Sequence, residues 1–314
     1  MQERFVGRSG LSVSRVGLGT ASWGRETDEH EAADILRTFL DAGGTLIDTA
    51  ASYGAGASES LLGTLLADVP RHDVVLVSKA GSSVPHGRAG TSRGAMLATL
   101  DQTLGRLGTD HLDLWLVQGW DPRVPVDETL GALEHAVTTG RTRYVGVSNY
   151  TGWQTAYAVA RQASRDLAAP VVATEVEYSL LARQPEREVV PAAEALGFGV
   201  LAWSALGRGV LTGKYRYGIP ADSRAASDHL TGFVDPYLDE DARLVVEAVC
   251  RAAEGLQLTP LEVALAWVRD RPSVASALIG PRTAAQLKAA LSAEEVTLPG
   301  EIADALDDVS AEAV

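Results

Sequence analysis

The chain is predicted to fold as one α/β domain, a (β/α)8 TIM barrel with an N-terminal β-hairpin and extended loops on the C-terminal face. Three observations predict this. Short apolar runs rich in Val, Leu and Ile recur eight times along 314 residues, each of a length suited to a strand buried on both faces. Segments of helical period lie between most of them, the alternation that a parallel sheet with crossover helices requires. No linker, charge block or low-complexity stretch divides residues 1–314, and a single barrel routinely occupies about 250 residues or more. A doubly wound open sheet is the competing arrangement.

The strand-like runs are Val13 to Gly19, Thr45 to Thr49, Val74 to Lys79, Leu112 to Gln118, Tyr144 to Ser148, Val171 to Glu177, Gly199 to Ser204 and Ser276 to Gly280. Helical period marks Asp28 to Asp41, which carries Ile35, Leu36, Phe39 and Leu40 on one face and stops at Gly43-Gly44. It returns over Ser92 to Leu107, Asp127 to Thr139, Thr151 to Leu167, Arg183 to Leu196, Asp239 to Ala253 and Pro260 to Arg269, the last with Pro in its first turn. Met1 to Val13 reads as a hairpin that plugs the barrel floor. The longest irregular stretch, Lys214 to Leu238, is expected to have a binding role.

Composition excludes several functions. Hydrophobic residues at 46% and charged residues at 22% describe an ordinary globular chain. A net charge of -14 gives nucleic-acid binding no electrostatic support. No apolar run approaches the roughly 18 residues of a membrane span, and MQERFVGRSG lacks the apolar region of a signal peptide. Cys250, the one cysteine, cannot form an intrachain disulfide, which fits a reducing compartment. A soluble, cytoplasmic protein is expected; its oligomeric state is not legible. The six histidines are scattered without metal-ligand spacing, so no metal is expected. Gly146-Val147-Ser148-Asn149-Tyr150 lacks the closing glycine of a nucleophile elbow, which argues against serine hydrolysis.

Barrel enzymes place their chemistry at the C-terminal strand ends. The second strand ends in Asp48 with Tyr53 shortly after it, the third in Lys79, the fourth in Gln118 and the fifth in Ser148-Asn149. The sixth passes through Glu175 and the seventh ends in Trp203-Ser204. Lys79 is notable because only Lys79, Lys214 and Lys288 among the 27 basic residues are lysine, and an ammonium can be tuned where a guanidinium cannot. A phenol of ordinary pKa about 10 is a poor acid at neutral pH unless its phenolate is stabilised. An adjacent ammonium held by a carboxylate would do so. Tyr53 is thus expected to be a general acid supported by Lys79 and Asp48, suited to protonating a carbonyl oxygen as hydride reaches its carbon.

These residues lie in motifs that resemble the aldo-keto reductase superfamily, in particular the bacterial branch similar to potassium-channel β subunits. The motifs are Gly17-Leu18-Gly19-Thr20, Asp48-Thr49-Ala50 with Tyr53-Gly54 and Ser58-Glu59, Ser78-Lys79, Gly146-Val147-Ser148-Asn149, Glu177-Tyr178-Ser179-Leu180-Leu181, and Trp203 to Gly209 with Leu211 and Lys214. They run in family order over nearly the whole chain. The resemblance implies carbonyl reduction with NADPH/NADP+ as cofactor. It makes Tyr53 the proton donor, Asp48 and Lys79 its partners, and Gln118 the residue at the position of the catalytic His. It puts Gly19, Thr20 and Asp48 on the cofactor side, Ser148 and Asn149 at the nicotinamide carboxamide, and Tyr178 on or beside the ring. Trp203, Ser204, Ala205, Leu206, Gly207, Gly209, Leu211 and Lys214 match the pyrophosphate strap. Gly280, Arg282 and Gln286 match the 2′-phosphate site, where a guanidinium favours NADPH over NADH.

Four departures stand out. Gln118 can donate a hydrogen bond to a carbonyl oxygen but cannot become cationic. Replacement of this His also accompanies reduction of conjugated C=C bonds in some relatives, and weak catalysis in the channel subunits. An enoyl reductase and a cofactor-sensing subunit therefore stand as alternatives. Glu175 replaces the usual Gln and is expected to add negative charge near the ring, favouring the oxidised form. Ala289 and Ala290 replace Glu-Asn, and Ala205 replaces Pro. Trp23 and Trp120, with Phe233 or Tyr237, are expected to wall the mouth for an apolar or ring-bearing carbonyl substrate. Lys214, Arg216 and Arg224 are expected to serve cofactor phosphate.

Overall fold

The computed structural model describes residues 1–81, 90–164, 169–221, 223–227 and 231–311. Eight parallel strands close into a barrel: β1 (Val16–Gly19), β2 (Leu46–Asp48), β3 (Val75–Ala80), β4 (Leu112–Val117), β5 (Thr142–Ser148), β6 (Val171–Glu177), β7 (Gly199–Trp203) and β8 (Val274–Ile279). Each pairs with the next in sequence, and β8 closes on β1 through Ala277 opposite Val16. The crossovers run through α1 (Glu29–Asp41), α2 (Ala57–Leu66), α3 (Arg93–Leu107), α4 (Val126–Thr138), α5 (Gly152–Ala163) and α6 (Pro185–Leu196). Next come α7 (Glu240–Leu256) and α8 (Pro260–Arg269) before β8, and α9 (Ala284–Leu291) and α10 (Gly300–Ser310) after it.

Local chemistry sets the helix ends. Asp28 caps α1 by accepting from the Glu31 amide, and capping boxes start α5 at Thr151/Gln154 and α8 at Thr259/Glu262. Alternation along the strands then decides which side chains enter the lumen. Leu46, Val77, Leu114, Leu116, Ala173 and Leu201 form an inner cluster, while Ile47, Leu76, Trp115 and Val117 face the helices in an outer one. Two residues beyond Leu46, Val77 and Ala173 on the same faces come Asp48, Lys79 and Glu175. The period that builds the apolar barrel core therefore delivers three ionisable groups to its upper layer.

The first strand-like run divides. Ser12–Ser14 pairs with Glu3–Phe5 in the hairpin, and only Val16–Gly19 enters the barrel. Ser14 makes the break: its hydroxyl donates to the Val16 carbonyl and accepts from the Thr45 and Leu46 amides, consuming bonds a continuous strand would leave to the sheet. The hairpin closes the floor as expected, with Val6 and Val13 fully buried in the inner cluster. The helix anticipated over Thr151 to Leu167 ends at Ala163; Leu167 lies outside the described residues. Among the described residues, α2, α9 and α10 are helices that the periodicity did not mark. The first two are short and rich in small residues, so their apolar stripes are weak. The loop expected from Lys214 to Leu238 contains short helical turns at Arg224–Ala226, Thr231–Val234 and Asp235–Tyr237. No helix among the described residues is long and apolar enough to cross a membrane.

Gly63 lets α2 sit on α3. A β-carbon there would lie 2.2 Å from the Arg106 carbonyl oxygen and 2.9 Å from Leu107 Cα. Gly63→Ala should force the two helices apart and cost about 1–3 kcal/mol, visible as a lowered thermal midpoint. An unchanged midpoint would show that the helices can separate freely.

Candidate active site

Lys79 stands at the centre of the upper lumen, 2% exposed. Its Nζ donates to Asp48 Oδ1 at 2.5 Å, to the Thr49 carbonyl at 3.0 Å and to Tyr53 Oη at 3.4 Å. Glu175 Oε1 lies 3.3 Å from the same nitrogen. The loop bearing Tyr53 is tied to β3 through the Thr49 amide on Val77 O and the Ala51 amide on Lys79 O. Gly54, Ala55 and Gly56 then follow in left-handed conformations, turning the chain into α2. Behind the strand, Ser78 and Thr103 donate to Glu59 Oε1 and Arg106 to Oε2, fixing β3 beside α2 and α3.

Burial and mutual charge perturb all four groups. Burial works against the Lys79 ammonium, but Asp48, with Glu175 beside it, outweighs the burial and holds it above the ordinary range. Burial pushes the Glu175 carboxyl up to about 8, aided by Asp48. Burial also raises Asp48, against the pull of Lys79. Tyr53 differs from expectation: burial raises its phenol, Asp48 and Glu175 add to the rise, and Lys79 only partly offsets them. The isolated phenol is thus not acidified. Such a group can still protonate an oxygen that becomes alkoxide-like, because alkoxide is the stronger base.

Around this cluster opens a cleft of about 770 Å³. On one side the Gln118 amide exchanges hydrogen bonds with the Ser52 hydroxyl, Nε2 donating at 2.9 Å. The Gln118 carbonyl accepts from Asn149, whose Oδ1 accepts from Trp203 Nε1 at 3.0 Å. Ser148 and Trp203 complete this wall. Past Trp203, the chain adopts left-handed conformations at Ser204, Gly207, Arg208 and Gly209. Consecutive residues of this kind can aim backbone N–H groups at an anion.

The far end is cationic. Lys214, Arg224 and Arg282 line it together with Gln286. Burial lowers the Lys214 and Arg224 values, and Arg282 lowers both further by like-charge repulsion. Arg224 also donates to the Gly280 carbonyl, and Gln286 Oε1 accepts from the Arg282 amide. A cleft that holds three cations against one another favours a polyanion. Ala289 and Ala290 line it too and offer no side-chain hydrogen bond.

Several anticipated residues lie elsewhere. Tyr178 is buried behind the cleft, its hydroxyl donating to Glu186 and its ring edge-on to Trp267. Trp203, at the β7 end, occupies the wall instead. Trp23 is fully buried in the outer core and does not reach the mouth. Trp120 packs against Tyr150 and Trp153 and borders a separate hollow of about 350 Å³. Thr20 turns inward, donating to the Asp48 carbonyl, while its neighbour Gly19 lines the cleft. Leu211 is buried beneath the strap, and Gly207 contributes its turn from below. Arg216 is engaged bidentately by Glu247.

Phe233 does line the mouth, and Tyr237 stacks near it on Arg208. Arg208, inside the Trp203 to Gly209 motif, has a role that the motif alone does not announce. Its guanidinium pairs with Glu177 at 2.6 Å and lies 4.0 Å from the Phe233 ring centroid, clasping strap, strand β6 and mouth loop together. Its place between two strap glycines was the available signal. No group of three or more His, Cys, Asp or Glu able to hold a metal occurs among the described residues.

The fold is thus a (β/α)8 barrel that gathers a phenol, an ammonium and two carboxyls at one rim, beside a cleft whose far end is cationic. Residues 15–311 match the model of the Aldo/keto reductase family. The chain is 37% identical over 321 residues to an uncharacterized oxidoreductase, YrpG, of Bacillus subtilis (strain 168), covering 98% of this chain and 96% of that protein. It is 32% identical to a probable voltage-gated potassium channel subunit beta of Oryza sativa subsp. japonica, covering 98% and 96%. It is also 32% identical to L-glyceraldehyde 3-phosphate reductase of Escherichia coli (strain K12), covering 92% and 86%. The chain belongs to the aldo/keto reductase family and is an oxidoreductase.

Proposed function

We propose that the protein is an NADPH-dependent reductase that converts a ketone or aldehyde to an alcohol, with Tyr53 as proton donor. The observation that carries this reading is Tyr53 Oη at 3.4 Å from Lys79 Nζ, at the floor of a cleft whose other end gathers three cations. Bound along the cleft, a dihydronicotinamide supplies hydride to the carbonyl carbon. Tyr53 holds the carbonyl oxygen and passes its proton to it, while Lys79 stabilises the phenolate left behind. Gln118, steadied by Ser52, donates a second hydrogen bond that orients the oxygen.

Ser148 and Asn149 would hold the carboxamide, and Trp203 would wall the ring. The Ser204 to Gly209 turn, whose Gly207 and Gly209 amides close it on the Ser204 and Leu206 carbonyls, would hold the pyrophosphate together with Lys214. Arg282, Arg224 and Gln286 would hold the 2′-phosphate. Trp203, Leu206 and Phe233 fit a substrate with an apolar or ring portion. A cytoplasmic setting accords with the single cysteine, and the net charge of -14 with the absence of a nucleic-acid partner.

Arg282→Ala should weaken NADPH binding about 10–100-fold while changing NADH binding little, because a charge-assisted bond to the 2′-phosphate is lost. Fluorescence titration with both cofactors checks this, and equal losses for the two would reject Arg282 as the phosphate reader. Gln118 favours one second reading, reduction of a C=C bond conjugated to a carbonyl, since its amide orients an oxygen without supplying a proton. Product identification with paired ketone and enone substrates separates the two: alcohol supports the carbonyl reductase, saturated ketone the enoyl reductase. Tight NADPH binding without turnover of either would favour a cofactor-sensing subunit.

A further inference from the structure

The three ionisable groups in the upper lumen do not balance as a set of charges. An ammonium has three N–H donors, and Asp48, the Thr49 carbonyl and Tyr53 all lie within reach of those of Lys79. Glu175 Oε1, 3.3 Å from the same nitrogen and also in hydrogen-bond reach of Asp48, competes for them, so four oxygens share three donors. Its other oxygen, Oε2, is buried and has no hydrogen-bond partner among the described residues. One cation thus faces two carboxyls that are 3–4% exposed. Two buried carboxylates sharing one ammonium leave a net negative charge unsolvated, and the cheaper state keeps a proton on one of them. Asp48, bonded at 2.5 Å, is the better supported anion. Glu175 is the one left to hold the proton.

Burial weights Glu175 to the protonated form, while the charges around it pull in opposite directions, Asp48 against its ionisation and Lys79 toward it. Asp48 and Tyr53 face it from β2 and its loop, and Lys79 from β3. Ser148, opposite it on β5, carries no charge. On the strap side Arg208 is engaged bidentately by Glu177, so its charge is already matched. The cations Lys214, Arg224 and Arg282 line the phosphate end.

We propose that Glu175 is a proton-holding positioning residue that reads the redox state of the cofactor: neutral beside the reduced nicotinamide, it ionises beside the oxidised, cationic ring. The inference rests on the reading of the cleft as a nicotinamide site. Tyr53 Oη and Glu175 Oε1 share one nitrogen within 3.4 Å. A ring that delivers hydride to a carbonyl held by Tyr53 must therefore pass close to Glu175, which lines the same cleft. The step is a plain ionisation: the Glu175 O–H bond breaks, its electron pair stays on the carboxylate, and the proton leaves to solvent buffer. The negative charge expected of a glutamate here is present only when the ring can use it.

Two measurements test this. In the cofactor-free protein, the infrared difference spectrum of wild type minus Glu175→Gln should contain a protonated-carboxyl band below neutral pH that fades as pH rises. A carboxylate band alone at that pH overturns the proposal without reference to any cofactor. Calorimetric titrations in two buffers of different ionisation enthalpy then count protons released on binding NADP+ and NADPH. The phosphates are common to both forms, so the difference isolates the ring. Wild type should release more protons with NADP+ than with NADPH, by up to about one per site, and Glu175→Gln should abolish the difference. Equal release in wild type, or a difference that survives Glu175→Gln, overturns the proposal. Binding of neither form would remove the nicotinamide reading, and the proposed redox coupling with it.

Discussion

Tyr53→Phe should lower kcat for carbonyl reduction by about 10²–10⁴-fold while leaving the NADPH dissociation constant within about twofold of wild type. The phenol lies over Lys79 at the cleft floor, and its ring centroid is 5.1 Å from Nζ. Removing the hydroxyl deletes the proton without disturbing the ring packing or the Asp48–Lys79 pair. Stopped-flow oxidation of bound NADPH reads the hydride step, and fluorescence titration reads binding. Turnover that persists in the variant would show that another group protonates the product. Loss of cofactor binding would mean that the hydroxyl is structural.

Lys79→Met should be costly in two ways. Among the described residues the ammonium is the cation bonded to Asp48 and lying beside Glu175, and its removal leaves buried carboxyls uncompensated, a loss of about 3–5 kcal/mol. It also removes the charge that stabilises a Tyr53 phenolate, so reduction should fall at least as far as in Tyr53→Phe. The stability loss should depend on pH with a definite sign. Burial raises both carboxyls in the folded state, and without Lys79 nothing opposes it. The folded variant then holds more protons than the unfolded chain above the ordinary carboxylate range, so its stability falls as pH rises, by up to about 1.4 kcal/mol per unit for each such proton. Denaturant titrations across a pH series check this. A deficit that is constant with pH would mean that the carboxyls find another partner.

Much of this site can be read from the chain because its residues follow strand periodicity. Asp48, Lys79, Gln118, Ser148 and Trp203 stand at or just beyond the ends of apolar runs, and a barrel brings such ends to one rim. Tyr53 follows Asp48 at a short loop distance. Trp23 and Tyr178 were misplaced for one reason: both lie in loops next to strand ends, where sequence position does not tell which way a side chain turns. Trp23 turns into the outer core and Tyr178 toward α8, each burying a large ring that the cleft would have left partly wet. Trp120 likewise sides with Tyr150 and Trp153, an aromatic cluster built from elements that meet only after folding.

The sequence by itself determined the barrel, its hairpin floor, and which strand ends would supply a phenol, an ammonium and carboxyls, because a period of two and a helical period are local properties of the chain. Tertiary structure alone decided how charge is shared among those groups. Glu175 reads in sequence as a carboxylate beside a ring. In the fold it shares one ammonium with Asp48, the Thr49 carbonyl and Tyr53, and burial makes a proton on it cheaper than a second negative charge. The number of carboxyls that one buried cation can satisfy depends on distances across strands β2, β3 and β6, which no local pattern encodes.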